Sequence, residues 1–170
     1  MKILLTYSTR SGNTKRVAEA VATKLGSDVT LANIENEKTM NPDDFDVLIH
    51  GFWVTSTGAD ELSLEYLHQI RNRTIGLFGT MGANPDSPYA RSIRLRLKNH
   101  LKKNNNTIGE WFLCPGEIAS ELITWFESLP EGHSQYPTPE RRANWAHAQG
   151  RPSEADLSEA AALFTEWICR

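Results

Sequence analysis

The chain has 170 residues, of which 39% are hydrophobic and 23% charged, a composition typical of a globular protein that buries a sizeable core. No apolar stretch approaches the ~20 residues of a membrane-spanning helix, and no basic leader with an apolar run opens the chain, so we expect a cytoplasmic protein that does not contact membranes. The net charge of −3 disfavours a nucleic-acid partner. Cys114 and Cys169 have neither the spacing of a metal site nor that of a redox pair.

Strand-like and helix-like runs alternate along the chain. Apolar runs predict strands at residues 2–7, 29–34, 46–53, 74–78 and 108–114. Helical spacing of apolar residues predicts helices at residues 13–25, 60–71 and 88–103, and a last helix that follows Pro152 with Ser153 as its N-cap. Continuous apolar strands between helices imply a parallel sheet that helices cover on both faces.

Residues 115–152 interrupt this alternation and hold five of the eight prolines. We expect a single domain over residues 1–170 with this segment as an irregular extension. It either covers a sheet edge or serves as a docking element or lid. The segment can form a first amphipathic helix on four apolar residues with helical spacing, Ile118, Leu122, Phe126 and Leu129. A second short helix is predicted at residues 141–148.

Residues 7–14 read Tyr-Ser-Thr-Arg-Ser-Gly-Asn-Thr and directly follow the apolar run of the first strand. At such a turn the first amide N–H groups of the helix have no intrahelical partner and the helix dipole adds positive potential, so a phosphate fits there. Gly12 lets the backbone approach the ligand closely. The alternative is an ordinary turn with an N-cap. The candidate phosphate-binding residues are Ser8, Thr9, Arg10, Ser11, Gly12, Asn13 and Thr14.

This loop lacks the Gly-x4-Gly-Lys-Ser/Thr pattern of a P-loop and the G-x-G-x-x-G pattern of dinucleotide-binding folds. One terminal phosphate held by amides and hydroxyls, without magnesium ligands, suits a mononucleotide. The order Ser-x-x-Ser-Gly-Asn-Thr after a first strand resembles the phosphate loop of flavodoxins, which hold FMN. The resemblance implies a flavodoxin-like α/β three-layer sandwich, with a five-stranded parallel sheet in the order 2-1-3-4-5 and helices on both faces.

Ligands of such sheets bind at the carboxyl ends of the strands, where the loops after strands one, three and four meet. After strand three, an aromatic pair and small polar residues are candidates for a stacking ring and backbone donors. These are Phe52, Trp53, Val54 and Thr55. The alternative for Trp53 is packing at the rim of the core.

After strand four, Asp-Ser-Pro-Tyr at residues 86–89 resembles the Asp-Ser-x-Tyr stretch of flavodoxins, in which the tyrosine stacks on the isoalloxazine. The resemblance makes Tyr89 a candidate flavin contact. Because this loop is longer than usual, the alternative is that Tyr89 packs under it. For Met81, the alternative to a flavin contact is packing in the core. The residues whose backbone is expected to meet the pyrimidine edge are Gly79, Thr80, Met81 and Gly82.

Two short sequence segments resemble one branch of this family. They are Gly-Phe-Trp-Val at residues 51–54 and Phe-Gly-Thr-Met-Gly-Ala at residues 78–83. Its members are short flavodoxin-like proteins sometimes encoded beside flavin reductases, including those that act on bile pigments. The resemblance implies an FMN-binding carrier, without catalytic residues or metal, that exchanges electrons with a partner reductase as a monomer. The alternatives are a small FMN-dependent reductase whose extension presents Arg141, Arg142 or His147 to a substrate, and a fold that has lost its cofactor.

Charge is distributed unevenly along the chain. Residues 87–109 hold six of the 18 basic residues and no acid. We expect most of this basic charge to point away from the flavin loops. An acidic rim of Asp60, Glu61 and Glu65, just after the second loop, would instead meet Lys or Arg residues of a reductase.

Overall fold

The sheet of this protein is parallel and has the strand order β2-β1-β3-β4-β5, which confirms the predicted order. The computed structural model describes residues 1–36 and 40–170. The strands are β1 (Ile3–Tyr7), β2 (Val29–Asn33), β3 (Val47–Trp53), β4 (Thr74–Met81) and β5 (Thr107–Pro115). The helices are α1 (Asn13–Leu25), α2 (Glu61–Gln69), α3 (Pro88–Lys102), α4 (Ser120–Glu127), α5 (Pro139–Ala148) and α6 (Glu154–Cys169).

The side chains of the strands alternate between two hydrophobic layers, because successive residues of a strand point to opposite faces. In β3, Leu48 packs with α2 and α3, whereas Ile49 packs with α1 and α6. Both layers are dominated by side chains without solvent exposure, among them Phe52 in the first and Phe78 in the second. The molecule is therefore the predicted three-layer sandwich. In the described part of the chain, no helix has both the length and the apolar character needed to cross a bilayer.

Strand β4 is longer than predicted, since residues 79–81 continue it instead of opening a loop. Their pairing with β5 is regular, from Gly79 opposite Leu113 to Met81 opposite Pro115. A Cβ at Gly79 would lie 2.7 Å from the ring of Phe52 and 2.8 Å from Leu113. This glycine therefore serves a close approach inside the sheet, which is the usual meaning of glycine within a strand.

The extension contains both predicted helices, α4 and α5, and they pack on each other. The rings of Phe126 and Trp145 stack with centroids 5.6 Å apart. Arg142 donates two hydrogen bonds of 2.7 Å to the carboxylate of Glu127. No residue of α4 is buried, and Trp125 is 47% exposed. The helices α4 and α5 therefore form a small amphipathic pair beside the sandwich.

Candidate functional site

The turn between β1 and α1 presents open amide donors. Helix α1 begins at Asn13, and Gly12 before it has φ +89°, in the left-handed region that glycine adopts without strain. Among the described residues no side chain caps this helix, and its first turn carries no acid. The first N–H groups of α1 therefore remain available, and the helix dipole favours an anion beside them.

Short polar side chains close the loop around these donors. The N–H of Gly12 donates to Thr9 Oγ1 at 3.0 Å. Asn13 Nδ2 donates to Ser11 Oγ at 3.1 Å and to the carbonyl of Glu117 at 2.8 Å. Arg10 and Ser11 are exposed to solvent. Amides, hydroxyls and one guanidinium, without a carboxylate, are a donor set that fits a phosphate.

Ser8 and Thr14 are buried beneath the loop, and their hydroxyls point into the protein. Ser8 Oγ donates to Asp60 at 2.7 Å, and its N–H donates to the carbonyl of Gly51 at 3.0 Å. Thr14 Oγ1 lies 3.0 Å from Thr80 Oγ1. These two residues thus fix the loop from below, a role that their position in the phosphate motif does not reveal.

Asp60 is the centre of a buried polar network and is only 2% exposed. Its carboxylate accepts hydrogen bonds from Ser8 Oγ at 2.7 Å, from Ser63 Oγ at 2.8 Å, and from the N–H groups of Ser63 and Trp53 at 2.9 and 3.2 Å. The prediction of Asp60 in an exposed acidic rim is therefore wrong. Its side chain caps the N-terminus of α2 and folds inward, because four donors compensate the cost of burying the carboxylate.

His50 extends this network into the sheet. Its Nδ1 lies 2.8 Å from Thr6 Oγ1, and its Nε2 lies 2.9 Å from Ser63 Oγ. Burial lowers the pKa of His50 to about 4, although the negative charge of Asp60 acts in the opposite direction. The imidazole is therefore neutral at physiological pH. A continuous chain of polar groups joins the middle of β3 to the first and second loops.

The second loop is a closed turn that follows Trp53. Val54 and Ala59 form an antiparallel bridge, and the N–H of Thr55 donates to the carbonyl of Gly58 at 2.7 Å. Phe52, predicted as a flavin contact, has its side chain fully buried in the core. Trp53 is partly exposed, and the guanidinium of Arg10 lies 5.5 Å from the centroid of its ring. A cation–π contact therefore links the first and second loops.

Helix α3 contacts the second loop and the third loop, which is formed by residues 82–87 between β4 and α3. Tyr89 packs against the core, donates its hydroxyl to the carbonyl of Thr55, and has its pKa raised by burial. The predicted alternative has Tyr89 under the loop after β4, whereas its hydroxyl is bonded to the loop after β3. Arg96 donates to the carbonyl of Thr57 at 2.6 Å, and Arg91 donates to the carbonyl of Asp86 at 2.8 Å. The side chain of Met81 is buried in the core, which is the alternative to flavin contact that the sequence analysis gives for this residue.

The extension begins and ends beside the first and third loops. The N–H of Glu117 donates to the carbonyl of Arg151 at 2.9 Å, and its carboxylate accepts from the N–H of Gly150 at 3.1 Å. A Cβ at Gly82 would lie 2.4 Å from Ile118, so the third loop touches the start of the extension. Together with the bond from Asn13 to Glu117, these contacts bring all three predicted loops and the root of the extension to one edge of the sheet.

A family model described as a flavodoxin domain matches residues 4–165. The chain therefore belongs to the flavodoxin family, as its loop sequences predict. It is 29% identical over 163 residues to the flavodoxin-like domain-containing protein BilS of Clostridioides difficile (strain CD3), with 94% of this chain and 92% of that protein covered. It is 25% identical over 150 residues to BilS of Clostridium symbiosum (strain WAL-14163), with 79% and 78% covered.

Solved structures of flavodoxins share the fold. A flavodoxin of Streptococcus pneumoniae TIGR4 superimposes with a TM-score of 0.61 at 13% identity, over 99% of both chains. A flavoprotein of Lactobacillus acidophilus NCFM, solved in complex with FMN, superimposes with a TM-score of 0.52 at 15% identity, over 73% of this chain and 97% of that one. These likenesses concern the path of the backbone.

Proposed function

We propose that the protein binds FMN and carries electrons to or from a partner oxidoreductase. The observation that carries this proposal is the first loop, where the N-terminus of α1 has no side-chain cap and its neighbours are amides, hydroxyls and Arg10. A phosphate satisfies donors that are otherwise left to water. The FMN complex of the Lactobacillus acidophilus flavoprotein supports the same choice of ligand.

The other two loops lie where the flavin ring would extend from such a phosphate. Trp53 offers a partly exposed ring, whereas the N–H groups of Val54 and Thr55 already donate to the carbonyls of Thr80 and Gly58. The bound flavin would supply one- and two-electron chemistry, while the protein supplies binding, orientation and exclusion of water. The buried carboxylate of Asp60, next to the Trp53 backbone, adds negative charge near this edge and would disfavour extra electron density there.

The test is a visible spectrum of the purified protein, followed by titration of the flavin-free protein with FMN and with riboflavin. We expect FMN to bind and riboflavin, which lacks the phosphate, to bind far more weakly. Equal affinities would contradict the phosphate assignment. Absence of binding by either flavin would identify a fold that has lost its cofactor.

One observation favours a second candidate, a small FMN-dependent reductase with its own substrate. A cleft of about 440 Å³ lies between the third loop, the end of β5 and the last residues of the extension. His147 lines it and is exposed, whereas Arg151 there is engaged with Asp156 through two 2.6 Å hydrogen bonds. Arg142, also predicted to meet a substrate, is bound to Glu127 instead. Turnover of a soluble acceptor with NAD(P)H and no partner, lost in His147→Ala, would favour this candidate.

A further inference from the structure

The exposed face of α3 carries a basic stripe with an apolar centre. We define this basic stripe as Arg91, Leu95, Lys98 and Lys102, whose spacings of four, three and four residues place them on one face of a helix. The opposite face is buried in the core. Leu95 is 58% exposed, so its apolar side chain lies largely in solvent. The stripe thus combines cations with one solvent-facing apolar side chain.

The positive charge of α3 is uncompensated. None of its arginines or lysines takes part in an ion pair with any described residue. The remainder of the chain holds all 21 acidic residues and 13 of the 18 basic ones. Burial lowers the pKa of His100 in the same helix, its hydrogen bond with the Leu64 carbonyl opposes this, and the charges of Lys103 and His68 lower the pKa further. The molecule is therefore strongly polarised, with its positive region on α3.

One end of the basic stripe, at Arg91, lies beside the candidate flavin site. Helix α3 begins directly after the third loop, with Ser87 as its N-cap. Arg91 at the start of the stripe donates to the carbonyl of Asp86, and Arg96 on the same helix donates to the second loop. These two arginines are exceptions to the prediction that most of this basic charge points away from the flavin loops. The predicted acidic rim, in contrast, lacks Asp60, which is buried.

We propose that the basic stripe is a docking surface for a redox partner protein whose own electron-exchanging group is surrounded by carboxylates. This inference rests on the proposed function, because it names the kind of partner that the flavin site serves. Uncompensated cations steer an acidic partner over distances of about a Debye length, roughly 8–10 Å. Leu95 then supplies the apolar, solvent-excluded centre of the interface, which the charged residues surround as a polar rim.

Two other polyanions are less suited to this surface. A lipid bilayer needs an apolar face to insert, and the apolar face of α3 is occupied by the core. A nucleic acid would meet the net charge of −3 of the whole chain. An acidic patch on a partner protein can be as small as the basic stripe, and it can contact the stripe without approaching the acidic remainder of this protein's surface.

The test measures electron transfer from the reduced holoprotein to two ferric probes at several ionic strengths. One probe is a soluble acidic cytochrome whose haem edge is ringed by carboxylates, and the other is cytochrome c, whose haem edge is ringed by lysines. Lys98→Glu/Lys102→Glu reverses the stripe. Lys2→Glu/Lys24→Glu is the matched control, since it changes the net charge equally at the start of β1 and at the end of α1, which packs on the other face of the sheet.

We expect the wild type to reduce the acidic cytochrome faster as salt is lowered, and the stripe variant to lose about tenfold in this rate at low salt. The control should lose less than twofold, and Leu95→Gln should slow transfer without changing the salt dependence. An equal loss in the control, or faster reduction of cytochrome c by the wild type at low salt, would overturn the proposal. So would binding of phosphatidylserine vesicles or duplex DNA that the stripe variant abolishes.

Failure of the flavin assignment gives a different result. If the protein binds no FMN, it transfers no electrons. An NMR titration of the flavin-free protein with the acidic cytochrome then tests docking by itself. Binding that depends on Lys98 and Lys102, but not on Lys2 and Lys24, supports the docking surface alone. Absence of such binding overturns it whether or not FMN binds.

Discussion

Ser8 Oγ donates a 2.7 Å hydrogen bond to the carboxylate of Asp60, a residue that lies 52 positions further along the chain. The same carboxylate accepts the N–H of Trp53. One buried group therefore positions the end of β1, which carries the phosphate loop, and the end of β3, which carries the second loop. The relative position of the two loops depends on a side chain that is not accessible to a ligand.

Asp60→Asn should destabilise the protein by about 2–3 kcal/mol, because an amide nitrogen replaces an acceptor that faces several donors. The measurement is urea unfolding of the flavin-free protein. FMN affinity should also fall, since the first and second loops lose their common anchor. Glu61→Gln is the matched control, because it removes the same charge at the next, exposed position. Equal free energies of unfolding for the two variants would show that the buried hydrogen bonds of Asp60 do not stabilise the fold.

The neutral, buried state of His50 makes the stability depend on pH. The folded pKa is about 4, below the ordinary value of 6.5, because of burial. Between these two values the unfolded chain binds a proton that the native state does not, so stability rises with pH from about 4 to 6.5 and is constant above. The full contribution is about 3 kcal/mol at most. Unfolding curves across this range should show this slope, and His50→Gln should reduce it.

The sheet order and the two helical layers could be predicted from the sequence, because apolar runs and helical spacings are local signals. The Asp60 network could not, since its bonds join residues far apart in the chain and Asp60 reads as an exposed acid at the start of a helix. A local signal existed in Ser63, three residues after Asp60, which is the spacing of a helix N-cap to its third residue.

Strand geometry separates two of the residues that were predicted as flavin contacts. Phe52 and Trp53 are adjacent, and adjacent strand residues point to opposite faces. Phe52 therefore enters the core while Trp53 stays partly exposed. Gly79 and Thr80 read as loop residues because glycine and threonine are common in turns, whereas pairing with β5 retains them in the sheet.

Ser11→Ala should weaken FMN binding by about 1–3 kcal/mol, because a hydrogen bond to a charged phosphate is lost. The exposed Ser11 hydroxyl has only Asn13 as its partner among the described residues, so it is free to turn to a ligand. Titration followed by flavin fluorescence measures the change. Riboflavin affinity should be unaltered, and a parallel loss for both flavins would indicate a general distortion of the loop.

Gly79→Ala should destabilise the fold by about 1–3 kcal/mol through overpacking. A methyl group there would lie 2.7 Å from Phe52 and 2.8 Å from Leu113, closer than van der Waals contact in a close-packed core. Thermal unfolding of the flavin-free protein measures this effect. If Phe52 is the obstacle, the double variant with Phe52→Leu should recover part of the loss, whereas additive losses would show that Leu113 or the backbone is the limiting contact.

The ring of Trp53 should report FMN binding through its fluorescence. In this structure its face is covered by Arg10, at 5.5 Å from the ring centroid, a contact worth about 0.5–1 kcal/mol at an exposed site. Stacking of the isoalloxazine on Trp53 would quench its emission, and Trp53→Phe should remove most of the quenching that FMN produces. The other tryptophans, Trp111, Trp125, Trp145 and Trp167, provide the background. Unchanged quenching in Trp53→Phe would contradict stacking on Trp53 and favour Tyr89, although Tyr89 would then have to leave the carbonyl of Thr55.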